Sequence, residues 1–254
     1  LSTRIVSDNV TITTIDGVKQ SKYRAGLDVF DFLIVDEGQD LFNFDDIDIL
    51  DNSVNGGLEK GLWSIFHDVN NQSNVISACN LDVLELLKSY NPAKVSLKTN
   101  CRNTSHILTK VQESLKLDMG VKGTGEGPEV YEVTFPKDQL IDSISNKIIE
   151  LMKYDVLPGS ITILSAFSFS QSIVSSLPSK ILKNIQELDD YSVRKFPTNS
   201  ITFSEIKNFK GLENEVILLV DMLSPHSLKI TDGNVLHYVG MSRARGLLCA
   251  FWEV

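Results

Sequence analysis

Asp31-Phe32-Leu33-Ile34-Val35-Asp36-Glu37-Gly38-Gln39-Asp40-Leu41 is the stretch on which the reading of this chain turns. Phe32 to Val35 is a short apolar, β-branched run that stops at two adjacent carboxylates, the pattern of a buried parallel strand whose carboxyl end meets a nucleotide site. A strand-end Asp36 can hold the Mg²⁺ of a nucleoside triphosphate, and Glu37 beside it can polarise the water that attacks the γ-phosphate. Gln39 places an amide where it could sense whether that phosphate is present. An acidic turn after a core strand looks the same in isolation, so the weight falls on the rest of the chain.

Upstream, Val10 to Ile15 alternates Thr with Val and Ile and reads as a strand, ended by Gly17. Downstream, Asp45, Asp46, Asp48 and Asp51 cluster near Phe44 to Leu50, but without the glycine and ligand order of a calcium loop they read as a solvated helix start. Gly56, Gly57 and Gly61 mark a loop before a second buried strand at Leu62 to Phe66. His67, Asp68, Asn70, Asn71 and Gln72 follow it and could form another side of a phosphate-sensing site, although a plain polar turn fits as well. Asn80 is a candidate N-cap for a helix with Leu81, Leu84 and Leu87 at helical spacing. Asn91-Pro92 closes that helix and predicts a boundary between domains 1–91 and 92–254.

A second series of strands and helices starts at Val95 to Leu97. Its first loop carries Arg102, whose planar guanidinium could reach a phosphate, ahead of a helix from about Ser105 to Leu117. Gly120 to Pro128 contains Lys122-Gly123-Thr124, but the order is wrong for the phosphate loop G-x-x-x-x-G-K-S/T. Glu129 to Phe135 (strand), Lys137 to Tyr154 (helix) and Ser160 to Leu164 (strand) come next, then a serine-rich tract from Ser165 to Ser179 with no His partner for nucleophilic chemistry. Ile201 to Phe203 is a strand, and Lys210-Gly211-Leu212-Glu213 is a tight turn before the Val216 to Val220 strand. Gly211 lets the backbone approach a ligand, and Glu213 could accept ribose hydroxyls. Leu236 to Arg245 reads as a helix carrying Arg243 and Arg245 on different sides, and Leu247 to Trp252 as the closing strand.

The 254 residues, 42% apolar, are enough for one large core or two modest ones. A net charge of -9 excludes a protein that coats nucleic acid by bulk electrostatics, so any such contact is local. Cys79, Cys101 and Cys249 are odd in number and lack metal-ligand spacing, which fits a reducing compartment, the cytoplasm by default. The chain starts with Leu1, and neither a signal peptide nor an apolar run of membrane-spanning length is read in it.

Taken in series, Asp36-Glu37-Gly38-Gln39-Asp40, Asn100-Cys101-Arg102-Asn103, Phe209-Lys210-Gly211-Leu212-Glu213 and Tyr238-Val239-Gly240-Met241-Ser242-Arg243-Ala244-Arg245 resemble motifs II, IV, V and VI of the superfamily 1 helicases of the UvrD/Rep type. Trp63 to Gln72 looks like motif III, one residue longer between Asp68 and Gln72 than the usual Asp-x-x-Gln. The resemblance implies an α/β fold of two RecA-like, P-loop NTPase-like parallel-sheet lobes, the first incomplete, with ATP in the cleft between them. Asp36 would hold Mg²⁺, Glu37 would activate water, and Gln72, Arg102 and Arg243 would reach the γ-phosphate. Gln39, Lys210, Gly211 and Glu213 would complete the nucleotide contacts, with Glu213 on the ribose. The partner implied is single-stranded nucleic acid, DNA in preference to RNA.

The sequence departs from that family in three ways. The family's phosphate loop and adenine-contacting segment would lie before Leu1, so the chain reads as a fragment whose missing amino-terminal part is its first partner. Ser73-Asn74-Val75-Ile76 stands where the family has a base-stacking aromatic, a contact worth roughly 1–3 kcal/mol per base. The interval from Arg102 to Lys210 has no room for the large accessory insertion of processive members. The alternative from another class is a non-hydrolysing RecA-like regulatory or binding module. The intact set Asp36, Glu37, Arg102, Glu213 and Arg243 favours the enzyme, and the altered motif III favours the module. Residues 1–254 alone are predicted to show no appreciable ATPase activity, because the loop whose amides and Lys grip the β- and γ-phosphates is not among them. Phosphate release by the purified chain, abolished by Glu37→Gln, would overturn the fragment reading.

Overall fold

The computed structural model describes residues 5–7, 9–25, 28–67, 80–97, 99–115, 122–123, 125–189, 192–227 and 234–254. The chain divides into two compact units, Leu1–Val95 and Ser96–Val254. Asn91, where the sequence places the break, adopts a left-handed φ of 54° that closes the last helix of the first unit.

In the first unit β1 (Ile5–Ser7) and β2 (Val10–Ile12) form an antiparallel pair, and α1 spans Ile15–Ala25. Gly17 does not end a strand; it lies in the first turn of α1. The overlooked signal is Thr14, whose hydroxyl accepts the Gly17 amide at 3.2 Å as an N-cap, with Asp16 favourably placed at the positive end of the helix. β3 (Phe32–Val35) is followed by α2 (Phe44–Ser53), α3 (Gly57–Lys60), β4 (Leu62–Ile65) and α4 (Leu81–Ser89). β3 and β4 pair in parallel from Phe32↔Leu62 to Val35↔Ile65.

Val35, Phe42, Ile47, Leu50, Val54, Leu58, Val83 and Leu87 form the core of this unit. Its sheet is not buried on both faces as the apolar run suggests: Ile34 and Leu62 stay 65% and 66% exposed. Leu81 is also exposed, because Val83 and Leu87, one turn apart, set the buried face of α4. The aspartate cluster shapes helix ends. Asn43 caps α2 by accepting the Asp46 amide at 2.9 Å and donating to Asp46 Oδ2 at 2.7 Å, while Lys19 pairs with Asp46 Oδ1 at 2.6 Å. Asp51 accepts the Leu58 amide at 2.7 Å and so orders the start of α3.

Val95 to Leu97 does not form the strand expected there, and Val95 and Leu97 are exposed. It comprises α5 (Ser105–Leu115), β5 (Tyr131–Phe135), α6 (Lys137–Lys153), β6 (Ile161–Ser165), α7 (Ser179–Leu182), β7 (Ile185–Glu187), β8 (Ile201–Glu205), β9 (Asn214–Leu223), α8 (Asn234–Ser242) and β10 (Ala244–Glu253). Six strands form one parallel sheet in the order β5-β10-β9-β6-β8-β7. Central strands of such a sheet face helices on both sides, which is why β6, β9 and β10 are nearly continuous apolar runs. Ile163, Leu218 and Phe251 pack on one face with Ile144 and Ile148 of α6; Leu219, Leu248 and Trp252 pack on the other with Ile107 of α5 and Met241 of α8.

Two irregularities matter for the edges of this sheet. At its carboxyl end, Asp221 adopts φ 58° at a register shift between β9 and β10. Its buried carboxylate accepts Ser165 Oγ at 2.6 Å, Ser172 Oγ at 2.5 Å and the Ile173 amide at 3.0 Å, and so ties down the serine-rich tract. At the amino end, the Asn214 side chain donates to Gly159 O and to Thr162 Oγ1, which in turn bonds Thr202 Oγ1, so a buried polar strip crosses β9, β6 and β8 with every member partnered. Among the described residues, no helix is long and apolar enough to cross a membrane.

Glu132 of β5 links three elements by accepting from Lys110 of α5 and from the indole of buried Trp252. Desolvation is the largest single influence on its carboxyl and pushes the pKa up, but the Lys110 and Trp252 hydrogen bonds outweigh it and hold the pKa below the ordinary 4.5. A lowered folded pKa contributes stability above the unfolded value that is lost as pH falls through the folded one. Wild type should therefore lose more stability than Glu132→Gln between about pH 7 and about pH 3.5, measured by urea unfolding at both values.

Candidate functional site

At the end of β3 the chain turns sharply. The Phe66 amide bonds Val35 O at 2.9 Å and the Gly38 amide bonds Phe66 O at 2.8 Å, which carries the β3–β4 pairing one step past the strands. Gly38 is required there, because a Cβ would overlap Ile65 Cγ2. Between these anchors Glu37 sits at φ 53°, ψ 41°, a left-handed conformation that costs a non-glycine residue roughly 1–2 kcal/mol. Strain held this way clusters at functional sites. Asp36 is exposed and its Oδ1 accepts the Glu37 amide at 3.0 Å. Gln39, 1% exposed, donates from its side chain to Glu37 Oε2 at 2.5 Å, so its amide orients the glutamate. Asp36, Glu37 and Gln39 are thus brought together on one turn; Asp68 and Gln72 lie outside the described residues.

Ligands of open parallel sheets are expected at the carboxyl ends of the strands, but the second group assembles at the amino-terminal edge of the large sheet. The physical reason is local: the chain leaves the end of β8, doubles back through the helical turn Ile206–Phe209, and delivers Lys210 to Glu213 to the start of β9. Gly211 takes φ 79° there, with open space around its Cα, so backbone conformation rather than crowding demands glycine. Helix α8 ends at Ser242, before both arginines. Arg243 lies in the turn and Arg245 in β10, and the Arg243 carbonyl accepts the Asn214 amide at 3.2 Å.

The loop before α5 completes this edge. Asn100 Oδ1 accepts the amides of Arg102 and Asn103 at 2.8 and 3.0 Å, which fixes the turn that presents Arg102. Asn103 is 4% exposed, and its side-chain amide donates to Ser242 O at 2.9 Å and to Ala244 O at 2.6 Å, 141 residues on. The Thr104 amide adds a bond to Arg245 O. So held, Arg102 Nε pairs with Glu213 Oε2, and Arg245 Nε stands 3.7 Å from Glu213 Oε1. Both guanidiniums are about half exposed, their side chains at 45% and 55%.

Arg243 is buried. It donates from Nε to Val239 O at 3.1 Å and from a terminal nitrogen to Ser242 Oγ at 3.3 Å, bonds that set the plane of its guanidinium. Lys210 is half-buried beside the turn. Three residues of consequence were given no role in the sequence reading. Asn103 and Asp221 act through partners remote in sequence, a contact that no local pattern reveals, whereas Arg245 was noticed but assigned no role. Burial pushes the pKa of Cys249 up to about 12 and so removes it as a nucleophile, Cys101 is an exposed turn residue, and Cys79 lies outside the described residues.

No family model and no curated protein sequence matches this chain. Among solved structures, it is similar to the C-terminal domain of a possible DNA helicase from Lactobacillus plantarum WCFS1, at 15% identity and a TM-score of 0.46 over 61% of this chain and 88% of that one. It is also similar to S. cerevisiae Dbp5 bound to RNA and ADP BeF3, at 11% identity and a TM-score of 0.55 over 98% of this chain. The fold is RecA-like. This chain spans 62% of the Dbp5 chain, and at such identities the similarity speaks for the architecture alone. The RecA-like sheet of the second unit is what holds the Arg102, Glu213 and Arg245 cluster at its amino edge.

Asn103→Ala removes a buried double donor and leaves two carbonyls short of a partner, so it should destabilise the chain by about 2–4 kcal/mol. Arg102→Ala breaks only a half-exposed ion pair and should cost about 0–1 kcal/mol. Urea unfolding of both variants checks the contrast, and equal losses would show that Asn103 is not the stitch.

Proposed function

We propose that this chain carries motifs II to VI of an ATP-dependent superfamily 1 helicase or translocase of the UvrD/Rep type, which couples ATP hydrolysis to movement on single-stranded nucleic acid, DNA in preference to RNA. The observation that supports this reading best is the convergence of Arg102, Glu213 and Arg245 at one sheet edge. They come from the three segments of the second unit that resemble motifs IV, V and VI, and an arbitrary set of surface charges has no reason to meet there. The Dbp5 structure, which shares the fold, contains RNA and ADP BeF3.

In this reading Asp36, an exposed carboxylate at a strand end, suits Mg²⁺, which takes one or two protein carboxylates and fills its other positions with water and phosphate oxygens. The bound ion would supply neutralisation of the charge on the transferring phosphoryl group. Glu37, held by its left-handed backbone and by the Gln39 amide, would orient and deprotonate the attacking water. Arg102 would bind the γ-phosphate through its planar fork, and Lys210 would add charge beside it. Arg243, its plane fixed by Val239 O and Ser242 Oγ, would act as a preorganised stabiliser of developing charge, and Glu213 would accept ribose hydroxyls. Gln72 would sense the γ-phosphate.

The test is ATP hydrolysis by the full-length polypeptide with and without single-stranded DNA or RNA. Turnover should rise with nucleic acid and be abolished by Glu37→Gln. Arg243→Ala should lower kcat roughly 10³-fold or more while nucleotide affinity falls far less, because the charge it meets develops in the transition state. Parallel losses in affinity and turnover would make Arg243 a ground-state ligand. Nucleotide binding without any turnover would favour the regulatory module.

A further inference from the structure

We infer that Arg245 is a positioning residue that takes over Glu213 when a nucleotide phosphate draws Arg102 away; the inference rests on the nucleotide reading above and adds a residue to it. The geometry shows one carboxylate with an unequal pair of cationic partners. Arg102 Nε is in direct contact with Oε2, whereas Arg245 Nε is 3.7 Å from Oε1, inside ion-pair range but beyond a hydrogen bond. The two guanidiniums approach different oxygens of Glu213, so one can stay while the other leaves.

The backbones beneath them are tied together. Thr104, two residues after Arg102, donates its amide to Arg245 O; Asn214, next to Glu213, donates its amide to Arg243 O; Asn103 spans to Ser242 O and Ala244 O. Any rearrangement is therefore confined to side chains, and the half-exposed guanidiniums have room for it. A phosphate oxygen pair competes with a carboxylate for a guanidinium on equal geometric terms and with more charge. Without a second cation, drawing Arg102 off Glu213 would leave that carboxylate unpaired next to an incoming polyanion, and part of the phosphate's binding energy would be lost to the repulsion. A closing movement of Arg245 onto Oε1 removes the penalty and keeps Glu213 at the start of β9, where a ribose could reach it.

The experiment is a double-mutant cycle on equilibrium binding of fluorescent ATP by the full-length polypeptide. Arg245→Ala should weaken ATP binding about 3- to 10-fold, Arg245→Lys should restore most of it, and adenosine, which has no phosphate to pull on Arg102, should bind both variants alike. In a Glu213→Gln background Arg102 is already released, so Arg245→Ala should then change ATP affinity less than 2-fold. A loss that persists undiminished in that background would make Arg245 a direct phosphate ligand and overturn the takeover. An Arg245→Ala variant that binds ATP as wild type does, while Arg102→Ala binds more weakly, would overturn it and leave the nucleotide reading standing. Absence of ATP binding by wild type, or binding indifferent to Arg102→Ala, would overturn both.

Discussion

The second unit depends on one side chain, the amide of Asn103. A turn outside the sheet must be held against strands that begin more than a hundred residues later in the sequence, and no apolar contact specifies position as closely as two hydrogen bonds to nearby carbonyls. The carbonyls it uses, Ser242 O and Ala244 O, flank the arginine at which α8 gives way to β10. They are left over when helical bonding ends and parallel pairing has not fully begun. Asn103 thus satisfies a weak point of the fold and, in doing so, fixes Arg102 beside Glu213 and Arg245. Burial of that amide is affordable because Asn100 Nδ2 donates to Asn103 Oδ1, leaving neither end of the side chain unmet.

The opposite edge of the sheet is organised by a different polar residue. A regular β9 would carry Val220 and Met222 on the same face, yet Val220 packs with α6 and Met222 with the α5 and α8 side. The left-handed Asp221 between them takes up the extra residue and turns its carboxylate under the Ser165 to Ile173 segment. The two ends of one strand therefore have distinct roles. Its start carries exposed charges with freedom to exchange partners, and its end carries a buried carboxylate with three fixed donors.

Much of the alternating series in the second unit was legible because parallel strands buried on both faces write themselves as apolar runs, and the runs read at Ser160 to Leu164, Val216 to Val220 and Leu247 to Trp252 fall on β6, β9 and β10, whereas the short edge strand β7 was not read. Helix α6 was legible through the spacing of Leu140, Ile144, Ile148 and Leu151, all buried. The errors have physical causes. Tyr238 to Arg245 continues a helical apolar spacing across the point where α8 becomes β10, and only the carbonyl bonds to Asn103 and Asn214 mark the change. Gly17 looked like the end of a strand because glycine weakens strands, but at the third helical position its amide is one that a cap satisfies. Phe32 to Val35 has the composition of a doubly covered strand, whereas the described residues cover one face of it. For the candidate site, residue types were readable and the sheet edge was not, since the direction in which Ile206 to Phe209 doubles back is a tertiary property.

Net charge sets the conditions under which such a site can work. A chain of charge -9 repels a polyanion at long range, but at physiological ionic strength the Debye length is about 8 Å, so most of those carboxylates are screened from a phosphate at the amino edge of the sheet. In the proposed nucleotide reading, a phosphate at that edge meets Arg102 and Arg245 beside the carboxylate of Glu213. A small local excess of cation suffices because guanidinium and phosphate match in geometry as well as charge. The same balance limits adhesion. Glu213 offsets the charge of the two arginines beside it, so in the proposed reading the edge favours a ligand able to displace Glu213 from Arg102 and offer a hydroxyl to the carboxylate it displaces. A nucleoside triphosphate meets both conditions in one molecule, and a free phosphate meets only the first.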